Sequence, residues 1–206
     1  MVLPREDDPL WVDWDVPDDP FAVFMDSYYS VSVILFEEGP LRGDLFHRMV
    51  FVQLVGALEA YLGDTLVKTV LSDPAAMARL MRDDRDLSAA RFPLVAVAAD
   101  PDFVRETVKA HLKGVLYHNL AKVDALYRIA LDVPVLGEAS ENDFLFKSVK
   151  LRHDCVHRNS YTTDGVKLQA FTKDGVWECA EALCAVVKRI ELAVRGRQVE
   201  PNGTPA

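Results

Sequence analysis

The chain has 206 residues, half of them hydrophobic and 27% charged, which is enough apolar side chain for one buried core and too much for a disordered chain. With 23 lysines and arginines against 32 acids its net charge is −9. That balance excludes a broad face for coating DNA or long RNA, but not one confined phosphate site.

The start, MVLPREDDPLWVDWDVPDDP, is acidic and proline-broken, unlike a signal peptide, and no apolar run approaches the roughly 20 residues of a membrane span. The expectation is a cytoplasmic protein without a membrane partner. Residues 1–20 read as an extended arm anchored by Trp11 and Trp14. From Phe21 to about Glu38, Phe24, Tyr28, Val31 and Leu35 recur at helical spacing, and Gly39-Pro40 stops the run.

The longest predicted helix covers residues 44–71, with Leu45, Met49, Val52, Val55, Leu58, Leu62, Leu66 and Val70 three or four apart. Glu59 stands inside it, beside that stripe. Ser72-Asp73-Pro74 ends the helix and opens a short one, and residues 82–93 read as an exposed loop. Asp100-Pro101 supplies a cap and a first-turn proline for a helical stretch through about Leu131, with a break expected near Gly114.

Ser140 and Asp143 are spaced as a capping box for the next helix, 140–159, which Asn159 is placed to end. Residues 161–171 read as a short hairpin turning at Asp164-Gly165. Thr172 is the expected cap of a last helix that runs to about Val194 and ends at Gly196. Cys155, Cys179 and Cys184 form no disulfide framework, and the last two sit among apolar residues as small core side chains. The class is all-α: an antiparallel helical bundle over 21–196 with one hairpin excursion, preceded by the arm and followed by a disordered tail, 197–206.

Chemistry concentrates in KSVKLRHDCVHRN, residues 147–159. There Lys147, Lys150, Arg152 and Arg158 face one acid, Asp154, beside two of the five histidines, His153 and His157. A cationic cluster in an acidic chain is a place for an anion, and imidazole readily exchanges protons near neutral pH. A basic stripe on a solvated helix is the plain alternative. His153 and His157, four apart, share a helix face and suit zinc, but no third ligand motif accompanies them. Cys155 is two residues from each histidine and would point away from both, against a thiol nucleophile. Arg152 with His157 suits a phosphodiester: guanidinium matches phosphate oxygens two-pronged, and neutral imidazole can take a hydroxyl proton. The two lie five apart, however, so on one regular helix they diverge by roughly 140°.

The motif RHDCVH, Arg152 to His157, resembles the R-polar-x-x-x-H signature of the HEPN family, small all-α domains that include many prokaryotic ribonucleases. Val156-His157-Arg158-Asn159 resembles the family phrase around its histidine. LYHNLAKVDALYRIALDVP resembles the helix before the motif in the branch associated with RNA-ligase and phosphatase-type partners. The likeness covers roughly residues 45–195.

The resemblance implies a metal-independent endoribonuclease, without cofactor, that leaves a 2′,3′-cyclic phosphate and a 5′-hydroxyl. Arg152 would hold the scissile phosphate, His157 would assist the 2′-hydroxyl, and His153, at the family's polar position, would orient both. Glu59 would be the acid that some members carry on an earlier helix. Lys147, Lys150, Arg158 and Asn159 complete the expected substrate-binding set. Members commonly dimerise with their motifs facing, which would answer the divergence of Arg152 and His157, and a toxin or defence role would add an antitoxin as partner. The rival class is a non-catalytic RNA-binding, nucleotide-binding or protein-interaction module.

Overall fold

Among residues 16–37 and 43–198, which the computed structural model describes, nine α-helices account for most of the chain. Helix α1 (Pro20–Phe36) starts where Asp19 accepts the Ala22 amide at 3.0 Å, with Pro20 leading the helix. Helix α2 (Asp44–Ser72) is the centre of the molecule. Leu54, Val55, Leu58, Leu62, Leu66, Val67 and Val70 are all essentially inaccessible, so α2 is buried on more than the one stripe that a surface helix shows. By length and composition α2 could cross a membrane, yet 61% of its most apolar window is already covered by neighbouring helices. Its apolarity is spent on the core.

Cross-helix contacts set the directions. Phe24 packs on Tyr61 with ring centroids 5.9 Å apart and Lys68 donates to the Asp18 carbonyl, so α1 runs antiparallel to α2. Phe171, just before α9 (Lys173–Gln198), packs on Phe51 at 5.0 Å, while Glu191 accepts from the Tyr61 hydroxyl at 2.9 Å. Helix α9 therefore runs parallel to α2. Helix α8 (Ala139–His157) is antiparallel to both: Arg152 meets Glu59, Ser160 meets Arg48, and Glu141 pairs with Arg189 at 2.5 Å. The all-α bundle is as expected, with the refinement that its two longest helices lie side by side in the same direction.

A second set of helices closes the other side of α2. Helix α3 (Pro74–Asp83) packs on α7 (Leu120–Leu131) through Arg79, whose Nε and Nη2 donate to the Ala130 carbonyl at 3.0 and 2.6 Å. The buried Tyr127 hydroxyl donates to the Leu62 carbonyl at 2.8 Å. Helix α6 (Phe103–Lys113) runs antiparallel to α2, with Arg105 donating to the Leu71 carbonyl at 2.6 Å. Gly63 admits the Tyr117 ring; a Cβ there would stand 3.1 Å from it.

Three stretches differ from expectation. Residues 82–93 are a loop only over 90–93: α3 continues to Asp83 and α4 (Arg85–Ala89) follows at once, because Asp84 accepts the amides of Asp86 and Leu87 at 3.1 and 2.9 Å. Helix α5 (Leu94–Ala99) is a further short turn. The stretch 100–131 breaks at Gly114 as expected, into α6 and α7, but α6 starts at Phe103 and Asp100-Pro101 does not begin it. Asp100 accepts the Asp102 amide at 2.9 Å in a turn ahead of α6, and Asn119 caps α7 by accepting from Lys122 at 3.2 Å. The capping box of Ser140 and Asp143 does not form: α8 begins at Ala139, and Asn142 instead exchanges two hydrogen bonds with the Gly137 backbone, at 2.9 and 3.0 Å.

Other expectations hold. Thr172 accepts the Gly175 amide at 3.2 Å at the start of α9, although that helix continues past the expected stop at Gly196 to Gln198. Residues 161–167 make a small hairpin with one bridge, Tyr161 to Lys167, turning at Gly165, whose φ of +75° suits glycine. Cys179 and Cys184 are buried. Trp11, Trp14, most of the predicted arm, the Gly39-Pro40 stop and the tail from 199 onward lie outside the described residues.

Candidate active site on helix α8

The end of α8 is built by left-handed backbone. Asn159 and Ser160 have φ of 50° and 68°, and the amides of Arg158 and Ser160 both donate to the Asp154 carbonyl, at 3.1 and 3.0 Å. Asparagine tolerates such a conformation better than most side chains, which is why Asn159 reads correctly as a stop. Asp154 is itself buried, 3.4 Å from Arg158 Nε. Ser160, also buried, accepts from Arg48 Nη1, and Arg48 Nη2 pairs with Asp44 at 3.2 Å. Asp44 in turn accepts the Phe171 amide at 2.7 Å. The start of α2 thus clamps both ends of the 158–172 excursion and fixes the last turn of α8.

One turn back, Arg152 leaves the solvent and meets Glu59 from the middle of α2, Nη2 to Oε2 at 3.7 Å, with side chains 24% and 14% exposed. This is an ion pair without a hydrogen bond. Glu59 Oε1 and Arg152 Nε are buried and have no hydrogen-bond partner among the described residues. Burial pushes the Glu59 carboxyl above its ordinary range, while the Arg152 guanidinium and then His118 pull it back. Desolvation is the larger influence. The site is therefore polar, largely buried and, among the described residues, incompletely satisfied.

His153 and His157 stand outside it, both exposed, with ring centroids 4.7 Å apart and planes inclined by 45°. Lys147, Lys150, Arg158 and Asn159 are exposed on the same helix and its end. The structure brings Arg152 to Glu59 and His153 to His157. No hydrogen bond, ion pair or ring contact among the described residues joins Arg152 to His157, in line with their divergence around the helix. Cys155 is half-buried, and burial raises its thiol against the pull of a Ser160 hydrogen bond, so it makes a poor thiolate nucleophile. No third metal-ligand side chain among the described residues joins His153 and His157; the three-ligand cluster that does exist lies elsewhere, at Asp84, Asp86 and His111.

Sequence reasoning missed His118, which sits between α6 and α7 and acts on Glu59 across the fold; no local pattern marks it. A cleft beside α8, about 490 Å3 and lined by Phe51, Phe144, Lys147, Leu151, Phe171 and Val176 among others, is mainly apolar and does not include Arg152 or either histidine. No family model matches the chain, and neither does any curated protein or solved structure.

Proposed function

We propose that the chain is a metal-independent endoribonuclease of the HEPN kind, a toxin or defence component, with Arg152 and His157 as its catalytic residues. The observation that carries this reading is the pairing of a partly buried, under-bonded arginine with an exposed imidazole pair on the last turns of one helix, in a chain that is otherwise acidic. An RNA phosphate offers the guanidinium the hydrogen bonds that Glu59, at 3.7 Å, leaves unmade. Glu59 then holds Arg152 in place and keeps it oriented.

In the reaction, neutral His157 takes the 2′-hydroxyl proton and the freed oxygen attacks phosphorus. The 5′-oxygen leaves and acquires a proton, giving a 2′,3′-cyclic phosphate and a 5′-hydroxyl. Arg152 stabilises the extra negative charge that builds on the phosphorane. His153, packed against His157 at 4.7 Å, orients it. Lys147, Lys150, Arg158 and Asn159 supply the flanking contacts that an acidic protein needs to hold a polyanion. A homodimer with two α8 ends facing across a twofold axis lets the Arg152 of one subunit serve the His157 of the other, and an antitoxin is the natural regulator of such a site.

The Arg152–Glu59 pair also favours a second reading, a non-catalytic module in which Arg152 ties α8 to α2 and the surface cations dock an anionic partner. RNA cleavage in excess EDTA separates the two. Cleavage should persist with chelator and fall about 10²–10⁴-fold in His157→Ala, whose side chain is exposed and lies outside the buried core. Arg152→Lys should be severely impaired, because an ammonium keeps the charge but loses the two-pronged fit. A wild-type chain without chelator-resistant cleavage, or one unaffected by His157→Ala, hands the cluster to the module reading.

A further inference from the structure

We propose that Asp84, Asp86 and His111 form a zinc site where α3, α4 and α6 meet. This inference is independent of the ribonuclease reading. Asp84 at the α3–α4 junction, Asp86 in α4 and His111 in α6 offer ligand atoms that all lie within 4.8 Å of one another. They combine two carboxylates and one imidazole, a donor set that suits zinc with a water as fourth ligand; calcium and magnesium prefer oxygen donors alone.

The histidine is the second observation. His111 Nε2 is buried and has no hydrogen-bond partner among the described residues. It stands 3.3 Å from Asp84 Oδ1 without a hydrogen bond between them, close enough for both atoms to reach one ion. The ring is mostly covered, 17% exposed, and the Asp84 side chain is 8% exposed, so this is a recess and not a patch of solvated acids.

Asp84 is already oriented. Its Oδ1 caps α4 by accepting from Asp86 and Leu87, while Oδ2 takes no hydrogen bond or ion pair among the described residues. Fixed ligands of this sort are what a metal site needs from its surroundings. Asp86 is 62% exposed and closes the site from the solvent side, where Lys122 Nζ approaches its Oδ2 at 3.5 Å. That contact is a screened surface pair, of the kind worth little, and a divalent cation displaces it. Two carboxylates with a neutral imidazole carry a net charge that zinc balances. Zinc here would pin the α3–α4 elbow to α6, in an outer part of the fold where α4 is one short turn.

Calorimetry on the full chain with zinc alone tests the proposal. One zinc should bind per chain, with affinity lowered at least about tenfold in Asp86→Asn and in His111→Gln, the low end of what even an outer partner of a metal ligand is worth. Lys122→Met should bind more tightly, because the competing ammonium is gone. Asp86 is exposed, so its variant folds even if His111→Gln does not. A His153→Ala/His157→Ala chain should keep the site. No one-to-one binding in the wild type, unchanged affinity in Asp86→Asn, or loss of binding in the His153/His157 double variant alone would each overturn it.

Discussion

Removing Arg152 tests whether Glu59 is a carboxylate kept in a partly buried site chiefly by one cation. At 3.7 Å two unit charges attract by about 4.5 kcal/mol at an effective dielectric near 20 and by about 1.1 kcal/mol in bulk water. Exposures of 24% and 14% place the pair between those limits, and the coupling between the two side chains should be about 1–2 kcal/mol. Because burial outweighs Arg152 and His118, Glu59 binds its proton more tightly folded than unfolded. Its contribution to stability is therefore present below the unfolded value, about 4.3, and is lost as pH rises through the folded one. Arg152→Met takes away the larger of the two groups that restrain this shift. The loss should be about 2 kcal/mol at pH 7 and should fade towards pH 4, where Glu59 is protonated. Glu59→Gln, which cannot ionise, escapes the burial penalty that the wild type acquires as pH rises, so its cost, about 1 kcal/mol or less, should be largest near pH 4 and shrink towards pH 7. Urea unfolding of the wild type, both single variants and the double variant at pH 4, 5.5 and 7 gives the cycle directly. Additive single effects at pH 7, or an Arg152→Met loss equal at every pH, would refute the argument.

Asp64 offers a second pH signature: burial pushes its carboxyl up to about 6, against the pull of Lys113. By the same sign, its contribution is present below about pH 4 and lost as pH rises through 6, so Asp64→Asn should match the wild type at pH 4 and exceed it by about 1 kcal/mol at pH 7, screening allowed for. A constant difference in urea midpoint across that range would contradict it. Tyr127→Phe removes a fully buried hydroxyl that donates to the Leu62 carbonyl at 2.8 Å, and should cost about 1 kcal/mol without changing the fold. Light scattering at micromolar concentration should show a dimer; a strictly monomeric species that cleaves RNA would rule out the shared site.

Periodicity read the long helices well, because each must bury an apolar stripe and the spacing of that stripe is local. Leu58, Leu62, Leu66 and Val70 recur every fourth residue and all four are inaccessible, whereas Leu45 and Met49, read into the same stripe, are exposed near the start of α2. Periodicity failed where short-range hydrogen bonds compete with composition. Residues 82–93 look polar and loop-like, yet Asp84 caps a turn of helix there. Ser140 is a good cap by type, yet Asn142 holds the start of α8 through Gly137. A cap is decided by which side chain reaches the free amides, and several candidates usually stand within two or three residues.

The sequence by itself determined an all-α chain, a central helix over 44–71, a helical stop at Asn159, and one cationic, imidazole-bearing turn in an acidic protein. All of these depend on neighbours within a few positions. Tertiary structure alone decided that Arg152 faces Glu59, that Arg48 locks Ser160, and that Asp84 and Asp86 meet His111. Each of those contacts joins residues far apart in sequence, and each depends on how one helix is rotated and shifted against another. A hydrophobic stripe says which face turns inward, but not which side chain of which neighbour will be waiting there.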